Sequence, residues 1–146
     1  MSHLHATTLL LGDRGLLIQG GSGAGKSTLA LALIRRSGPA CRFARLVCDD
    51  QIELIARAGR LIARAPSTIA GLAEVHGLSP VPMTHETRAV IDLVVRLVDA
   101  GQAPRFQEEG QVVIEGCRLP VLDLPARNVE ASAAVIHARL RLEPFS

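Results

Sequence analysis

Apolar positions along this chain change period several times, and each change marks an element. His5–Leu11 reads as a strand rich in Thr and Leu, Gly12-Asp13-Arg14-Gly15 as a turn, and Leu16–Gln19 as a second, fully apolar strand. The period then lengthens. Across Ser27–Arg36 apolar residues fall at Leu29, Leu33 and Ile34, which predicts a helix; Arg35 and Arg36 sit in its last turn, where cations suit the dipole. Ser37-Gly38-Pro39 ends that helix. Leu46-Val47-Cys48 predicts a short buried strand, and Ile52–Ile55 with Leu61–Ala63 a hairpin turning at Ala58-Gly59-Arg60 and stopped by Pro66.

From Ser67 to Met83 the pattern is broken by Gly71, Gly77, Pro80 and Pro82, which predicts a loop-rich segment able to line a site, with a short helix around Ile69–Val75. Ala89–Val98 holds the longest β-branched run and reads as a central strand. Val112–Ile114 and Leu119–Leu122 flank the turn Glu115-Gly116-Cys117 as another hairpin, and Val129–Leu142 closes the chain as a helix. No repeat, low-complexity stretch or linker divides the sequence. The expectation is one α/β domain over residues 1–146, with a mixed sheet and few helices.

Composition narrows the partners. Hydrophobic residues make up 48% of the chain and charged ones 21%, and with no Trp or Tyr and three Phe the core must be built from Leu, Val, Ile and Ala. Aromatic stacking on bases is therefore disfavoured. The formal charge of +2, without a basic block, argues against a nucleic-acid partner. Cys41, Cys48 and Cys117 form no C-x-x-C pair and no even framework, so they read as reduced, mostly buried thiols. Met1-Ser2-His3-Leu4-His5 is not the start of a signal peptide, and no apolar run reaches the roughly 18–20 residues of a membrane span. The cytoplasm, with no membrane partner, is the expected compartment.

The chemistry is concentrated in Gly20-Gly21-Ser22-Gly23-Ala24-Gly25-Lys26-Ser27, which fits G-x-x-x-x-G-K-[ST] between a predicted strand and a predicted helix. Its glycines permit backbone in which successive N–H groups converge on phosphate oxygens. The helix, running on through Thr28, adds the positive end of its dipole. Lys26 is expected to reach the terminal phosphates and the Ser27 hydroxyl to ligate Mg²⁺, which makes ATP the expected nucleotide. Asp49 and Asp50 end the strand Leu46–Cys48, where carboxylates meet phosphates across the C-terminal edge of a sheet. One should serve the metal. Side chains of successive strand residues point oppositely, so the pair can share metal and proton duties only where the strand has loosened. Their order stays open. Glu74 and His76 lie in the loop-rich segment within reach of such a site; His3, His85 and His137 have no ligand spacing and read as structural.

Taken in order, these motifs resemble the catalytic domain of the HPr kinase/phosphorylase family, over nearly the whole chain. The resemblance rests on His5 ten residues before Gly15, the loop Gly20–Ser27, Leu46-Val47-Cys48-Asp49-Asp50, Arg64-Ala65-Pro66, Ala73-Glu74-Val75-His76-Gly77-Leu78 and Leu124-Pro125-Ala126-Arg127-Asn128. It implies a P-loop kinase-type α/β fold and phosphorylation of a serine on an HPr-type phosphocarrier protein, with a reverse phosphorylase reaction. By position it implies Lys26 and Ser27 at nucleotide and metal, Asp49 as base toward the seryl hydroxyl with His5 supporting it, Asp50 and Glu74 at Mg²⁺, and Arg127 in phosphate transfer. It also implies a homo-oligomer, since longer members are hexameric. His76 stands where the family signature has Arg, Ser79 where it has Gly, and Gly21 where the loop usually has Asp, departures that bear on the reverse reaction. Two other readings share the loop: a P-loop kinase of a small metabolite, and a non-catalytic ATP-binding regulatory module.

Overall fold

The computed structural model describes residues 2–75, 77–108 and 110–145. In chain order the elements are β1 (Ser2–Leu4), β2 (Ala6–Leu11), β3 (Arg14–Gly20), α1 (Lys26–Ser37), β4 (Ala44–Cys48), β5 (Ile52–Arg57), β6 (Arg60–Arg64), β7 (Leu72–Ala73), β8 (Val81–Pro82), β9 (Arg88–Val98), β10 (Gly110–Ile114), β11 (Cys117–Pro125) and α2 (Val129–Arg139). The predicted central strand is the hub of the sheet. β9 pairs antiparallel with β6 through Arg88–Val90, parallel with β3 from Ile91 to Leu97, and parallel with β11 from Val94 to Val98. β2 joins β3 to β4 in antiparallel register, and β1, β5 and β6 form the other wing.

Leu93, Val94 and Val95 are all buried, as a strand covered on both faces requires. Alternation then sorts the core into two. Leu9, Leu16, Ile18, Leu93 and Val95 face Leu29 and Leu33 of α1 and Ile136 of α2. Leu17 and Val94 face the other way, onto Ile52, Leu54, Leu61 and Ala63 of the β5–β6 wing. The architecture is therefore a curled mixed sheet with two helices on one side, and no helix among the described residues is long and apolar enough to cross a membrane.

Three expectations need correction. The short helix around Ile69–Val75 does not form; turns at Ile69 and Leu72 lead into β7, which pairs with β8. The cause is Gly71, whose φ is +78° and whose absent Cβ would lie 2.5 Å from the His85 ring. A helix there would lose that packing. α2 stops at Arg139 instead of Leu142, with Arg141 at φ +55°. The N-terminus adds β1, so His5 occupies the break between β1 and β2. The cysteines agree with the reading of reduced, mostly buried thiols: Cys48 and Cys117 are buried and free, and Cys41 is free and exposed.

β3 and β9 shift register between Gly15 and Leu16. A Cβ on Gly15 would sit 2.0 Å from the Val90 carbonyl oxygen, so only backbone movement accommodates a side chain. Gly15→Ala should lower unfolding stability by about 1–3 kcal/mol. Gly101→Ala, whose Cβ meets nothing within 4 Å, should stay within about 0.5 kcal/mol of the parent. Urea unfolding of the two variants side by side checks this, and equal midpoints would refute it.

Candidate active site

β3 ends at Gly20, and the chain turns through residues 21–25 into α1. Gly23 and Gly25 have φ of +78° and +94°, left-handed values that glycine adopts without steric cost. Helix α1 opens without a side-chain cap and without an acid in its first turn, so its leading N–H groups remain available to an anion. Lys26 is the only lysine in the chain. It is 6% exposed, and its Nζ donates to the carbonyls of Gly20 at 3.0 Å and Gly21 at 3.3 Å. The ammonium group is thus folded over the loop, where a phosphate would offer it stronger, charged partners.

Behind the loop stands Asp49, buried and held by three donors from three segments. Ser27 Oγ donates to its Oδ1 at 2.7 Å and Thr7 Oγ1 to the same atom at 2.9 Å. The Glu74 backbone N–H donates to Oδ2 at 2.7 Å. Such a carboxylate is anchored; of its about four lone-pair sites, three are used. Asp50 differs entirely. The strand has ended, Asp50 takes a φ of +75°, and its side chain turns out to meet His5 Nε2, both groups being half exposed or more. This corrects the expected pairing: His5 lies against Asp50, not Asp49, because the break after β1 and the left-handed turn at Asp50 bring those two side chains together.

His5, Asp50, Glu74, Lys26 and Ser27 share one open cleft of about 390 Å³, which also takes in Ser22, Gly23, Gly25 and Thr28. Arg127 borders the loop from the far side. Its own φ is +57°, its N–H donates to the Ala24 carbonyl at 3.0 Å, and its guanidinium donates to the Gly23 carbonyl at 3.4 Å. Asn128 then caps α2 by accepting from Ala131 N–H at 3.2 Å. His76 lies outside the described residues. Gly21, Ala24 and Gly20 contribute backbone only, with Gly20 tight against Ala24 and Leu97.

The donor set fits Mg²⁺ and a nucleotide: hard oxygens from Ser27, Asp49, Asp50 and Glu74 beside a ring of amide N–H groups. Among the described residues no three His, Cys, Asp or Glu converge as a ready-made cage. Sequence reasoning missed Thr7, which sits fully buried on β2 and looks from the sequence like an ordinary strand threonine. Only the pairing of β2 with β4 puts its hydroxyl beside Asp49. Cys48, next to the pair, takes no part: burial pushes its thiol up to about 11, and its Sγ donates to the Gln51 carbonyl.

Comparison with known proteins agrees with this geometry. The model of the HPr Serine kinase C-terminal domain matches residues 1–142. An HPr kinase/phosphorylase of Clostridium tetani is 30% identical over 132 residues, covering 88% of this chain and 41% of that protein. An HPr kinase/phosphorylase of Limosilactobacillus reuteri is 30% identical over 147 residues, covering 92% of this chain and 44% of that protein. The chain therefore spans less than half the length of these relatives. The structure of the HPr(Ser) kinase/phosphatase from Coxiella burnetii superposes with a TM-score of 0.81 at 25% identity, over 97% of this chain and 89% of that one. With its family model matched from residue 1 to residue 142, the chain belongs to the HPr serine kinase C-terminal domain family.

Proposed function

We propose that this chain is an ATP-dependent protein serine kinase that phosphorylates an HPr-type phosphocarrier protein, using Mg²⁺, in the cytoplasm and as a homo-oligomer. The observation that carries the reading is the division of labour between adjacent carboxylates beside a phosphate loop. Asp49 is buried and joined to Ser27, while Asp50 is half-exposed and joined to His5.

A seryl hydroxyl is a poor nucleophile at neutral pH and needs a base with an open lone pair. Asp50 meets that need better than Asp49, which reverses the order that the resemblance implies for the pair. Asp50 removes the hydroxyl proton, with His5 holding the carboxylate in place. The seryl oxygen forms its bond to the γ-phosphorus as the bond from that phosphorus to the bridging oxygen breaks, and ADP departs with the electron pair. Lys26, the loop N–H groups and Arg127 stabilise the charge on the transferred group. Bound Mg²⁺ adds charge neutralisation at the phosphoryl oxygens, and Ser27, Asp49 and Glu74 are the oxygens that would hold it. In the phosphorylase direction inorganic phosphate takes the place of ADP: its oxygen forms a bond to the phosphoserine phosphorus as the seryl oxygen–phosphorus bond breaks, Asp50 returns the proton to the seryl oxygen, and pyrophosphate leaves.

The direct test is to incubate the protein with Mg-ATP and HPr from the same organism and locate the phosphate by mass spectrometry. Phosphoserine is expected; phosphate on histidine, on a small metabolite alone, or nowhere refutes the reading. Lys26→Ala should weaken Mg-ATP binding tenfold or more in calorimetric titration. Asp50→Asn should bind Mg-ATP normally yet lose about 10²–10⁴ in turnover, the usual contribution of a positioned base. Near-normal turnover in that variant, with loss in Asp49→Asn instead, would restore the opposite order.

Thr7 generates a separate expectation. Thr7→Val keeps the shape and removes a donor from Asp49, so the Mg²⁺ concentration for half-maximal nucleotide binding should rise roughly tenfold, as for other supports of metal-site carboxylates. Thr7→Ser should restore it. An unchanged Mg²⁺ requirement in Thr7→Val would show the hydroxyl to be mere packing.

A further inference from the structure

Residues 85–87, which lead from the hairpin of β7 and β8 into β9, are tied to β4. His85 makes an isolated parallel bridge with Leu46, Glu86 N–H donates to the Leu46 carbonyl at 2.9 Å, and Ala65 N–H donates to the Thr87 carbonyl at 3.1 Å. Leu46 lies in the last turn of pairing before β4 ends at Cys48, and Asp49 follows directly. The strap is thus held by the strand that carries the carboxylate pair.

From that strap the His85 ring reaches back over Gly71. A Cβ on Gly71 would lie 2.5 Å from both Nδ1 and Cε1 and 3.1 Å from Nε2, so the edge of the ring occupies the space that a side chain would take. Nδ1 lies 3.0 Å from the Met83 carbonyl, and since a carbonyl only accepts, Nδ1 carries the hydrogen. Met83 N–H in turn donates to the Gly71 carbonyl at 2.9 Å. One ring therefore fastens both ends of the hairpin, Gly71 at its start and Met83 at its close.

The hairpin needs such a fastening. β7 and β8 have two residues each, and Pro82 has no N–H to give to Leu72 opposite it. A pair so short has little stability of its own. Yet Glu74, the residue after β7, is held to a narrow place: its N–H donates to Asp49 Oδ2 at 2.7 Å, and the residue lines the phosphate cleft. Between Gly71 and Glu74 stand only Leu72 and Ala73, so a shift at the glycine passes along β7 to the carboxylate.

We propose that His85 is a positioning residue for the metal and nucleotide centre: its ring holds Gly71 and Met83 together, and that hold places the Glu74 N–H on Asp49 and the Glu74 carboxylate at the cleft. The inference rests on the kinase reading for what Glu74 and Asp49 do, and it adds the residue that keeps the two in register before Mg²⁺ or nucleotide binds. His85 acts through the hairpin and not on the reacting atoms.

The test begins with the protein free of metal and nucleotide, using amide hydrogen exchange followed by NMR. His85→Ala should speed exchange of the Glu74 amide about tenfold or more, a local opening, while amides around Val95 keep the parent rate. Val95 is buried and paired to both β3 and β11, so its neighbourhood reports global unfolding. His85→Asn, which keeps a donor near the place of Nδ1 but lacks the ring edge, should fall between parent and His85→Ala, and it carries the test where the alanine variant does not fold. Gly71→Ala should speed Glu74 exchange in the parent and add less in His85→Ala, the non-additivity of a shared contact. The His85→Ala protein should then need roughly tenfold more Mg²⁺ for half-maximal ATP binding, the scale for supports of a metal ligand, with the KM for acceptor protein in place. Glu74 exchange at the parent rate, or a rise matched at Val95, overturns the positioning role and leaves the kinase reading untouched. Faster Glu74 exchange with an unchanged Mg²⁺ requirement overturns it too, since the hairpin would then not govern the site. Absence of phosphoserine with the parent enzyme overturns the kinase reading, while the exchange and Mg²⁺ results still decide the role of His85.

Discussion

Three stretches of chain that are far apart in sequence meet at one carboxylate. Thr7 belongs to β2, Ser27 to the first turn of α1 and Glu74 to the hairpin segment, and each gives a hydrogen bond to Asp49. A buried anion is tolerated only with such partners, because desolvation without them costs several kcal/mol. Stability and site geometry therefore depend on the same contacts. Remove one donor and the remaining two still orient the carboxylate, but the segment that lost its tie is freer to move. The Glu74 tie matters most in this respect, since it is a backbone bond and fixes where the loop carrying Glu74 begins.

The half-exposed neighbour makes sense against that anchor. Asp50 follows directly, yet its left-handed φ of +75° throws it to the solvent side, toward His5. An L-residue pays a conformational cost there, and such costs concentrate where a side chain must be aimed. Two identical residues thus acquire unlike environments through backbone alone. The pair behaves as the loosened strand end that its position after Leu46-Val47-Cys48 suggests.

What the sequence makes legible is local. The glycine loop, α1, the hairpin of β5 and β6 and the central strand β9 each depend on a periodicity or a motif within about twenty residues, and all appear where the pattern puts them. Pairings across the sheet are another matter. Thr7 beside Asp49 spans 42 positions, and nothing in the run Ala6-Thr7-Thr8 distinguishes the threonine that touches the carboxylate from the one that does not. The resemblance sets His5 beside Asp49, whereas the structure sets it beside Asp50, for the same reason: alternation along a strand predicts facing, but not which partner a break in the strand selects. The failed helix at Ile69–Val75 is similar, because Gly71 is a packing surface for His85, a contact with no local signature.

Arg127 illustrates how topology supplies what composition cannot. β3 and β11 both run parallel to β9, with Gly20 opposite Leu97 and Pro125 opposite Val98. Segments leaving two parallel strands at one level emerge on the same edge of the sheet. The turn after β11 must therefore pass the glycine loop after β3, and it does so closely enough for Arg127 N–H to bond the Ala24 carbonyl. The guanidinium then reaches Gly23 from 104 positions away. Its backbone is left-handed, as at Asp50, so the turn directs this side chain over the loop instead of along it. A cation held there by main-chain contacts has its place set by the fold, and under the proposed kinase reading that would lower the reorganisation needed at the moment of transfer.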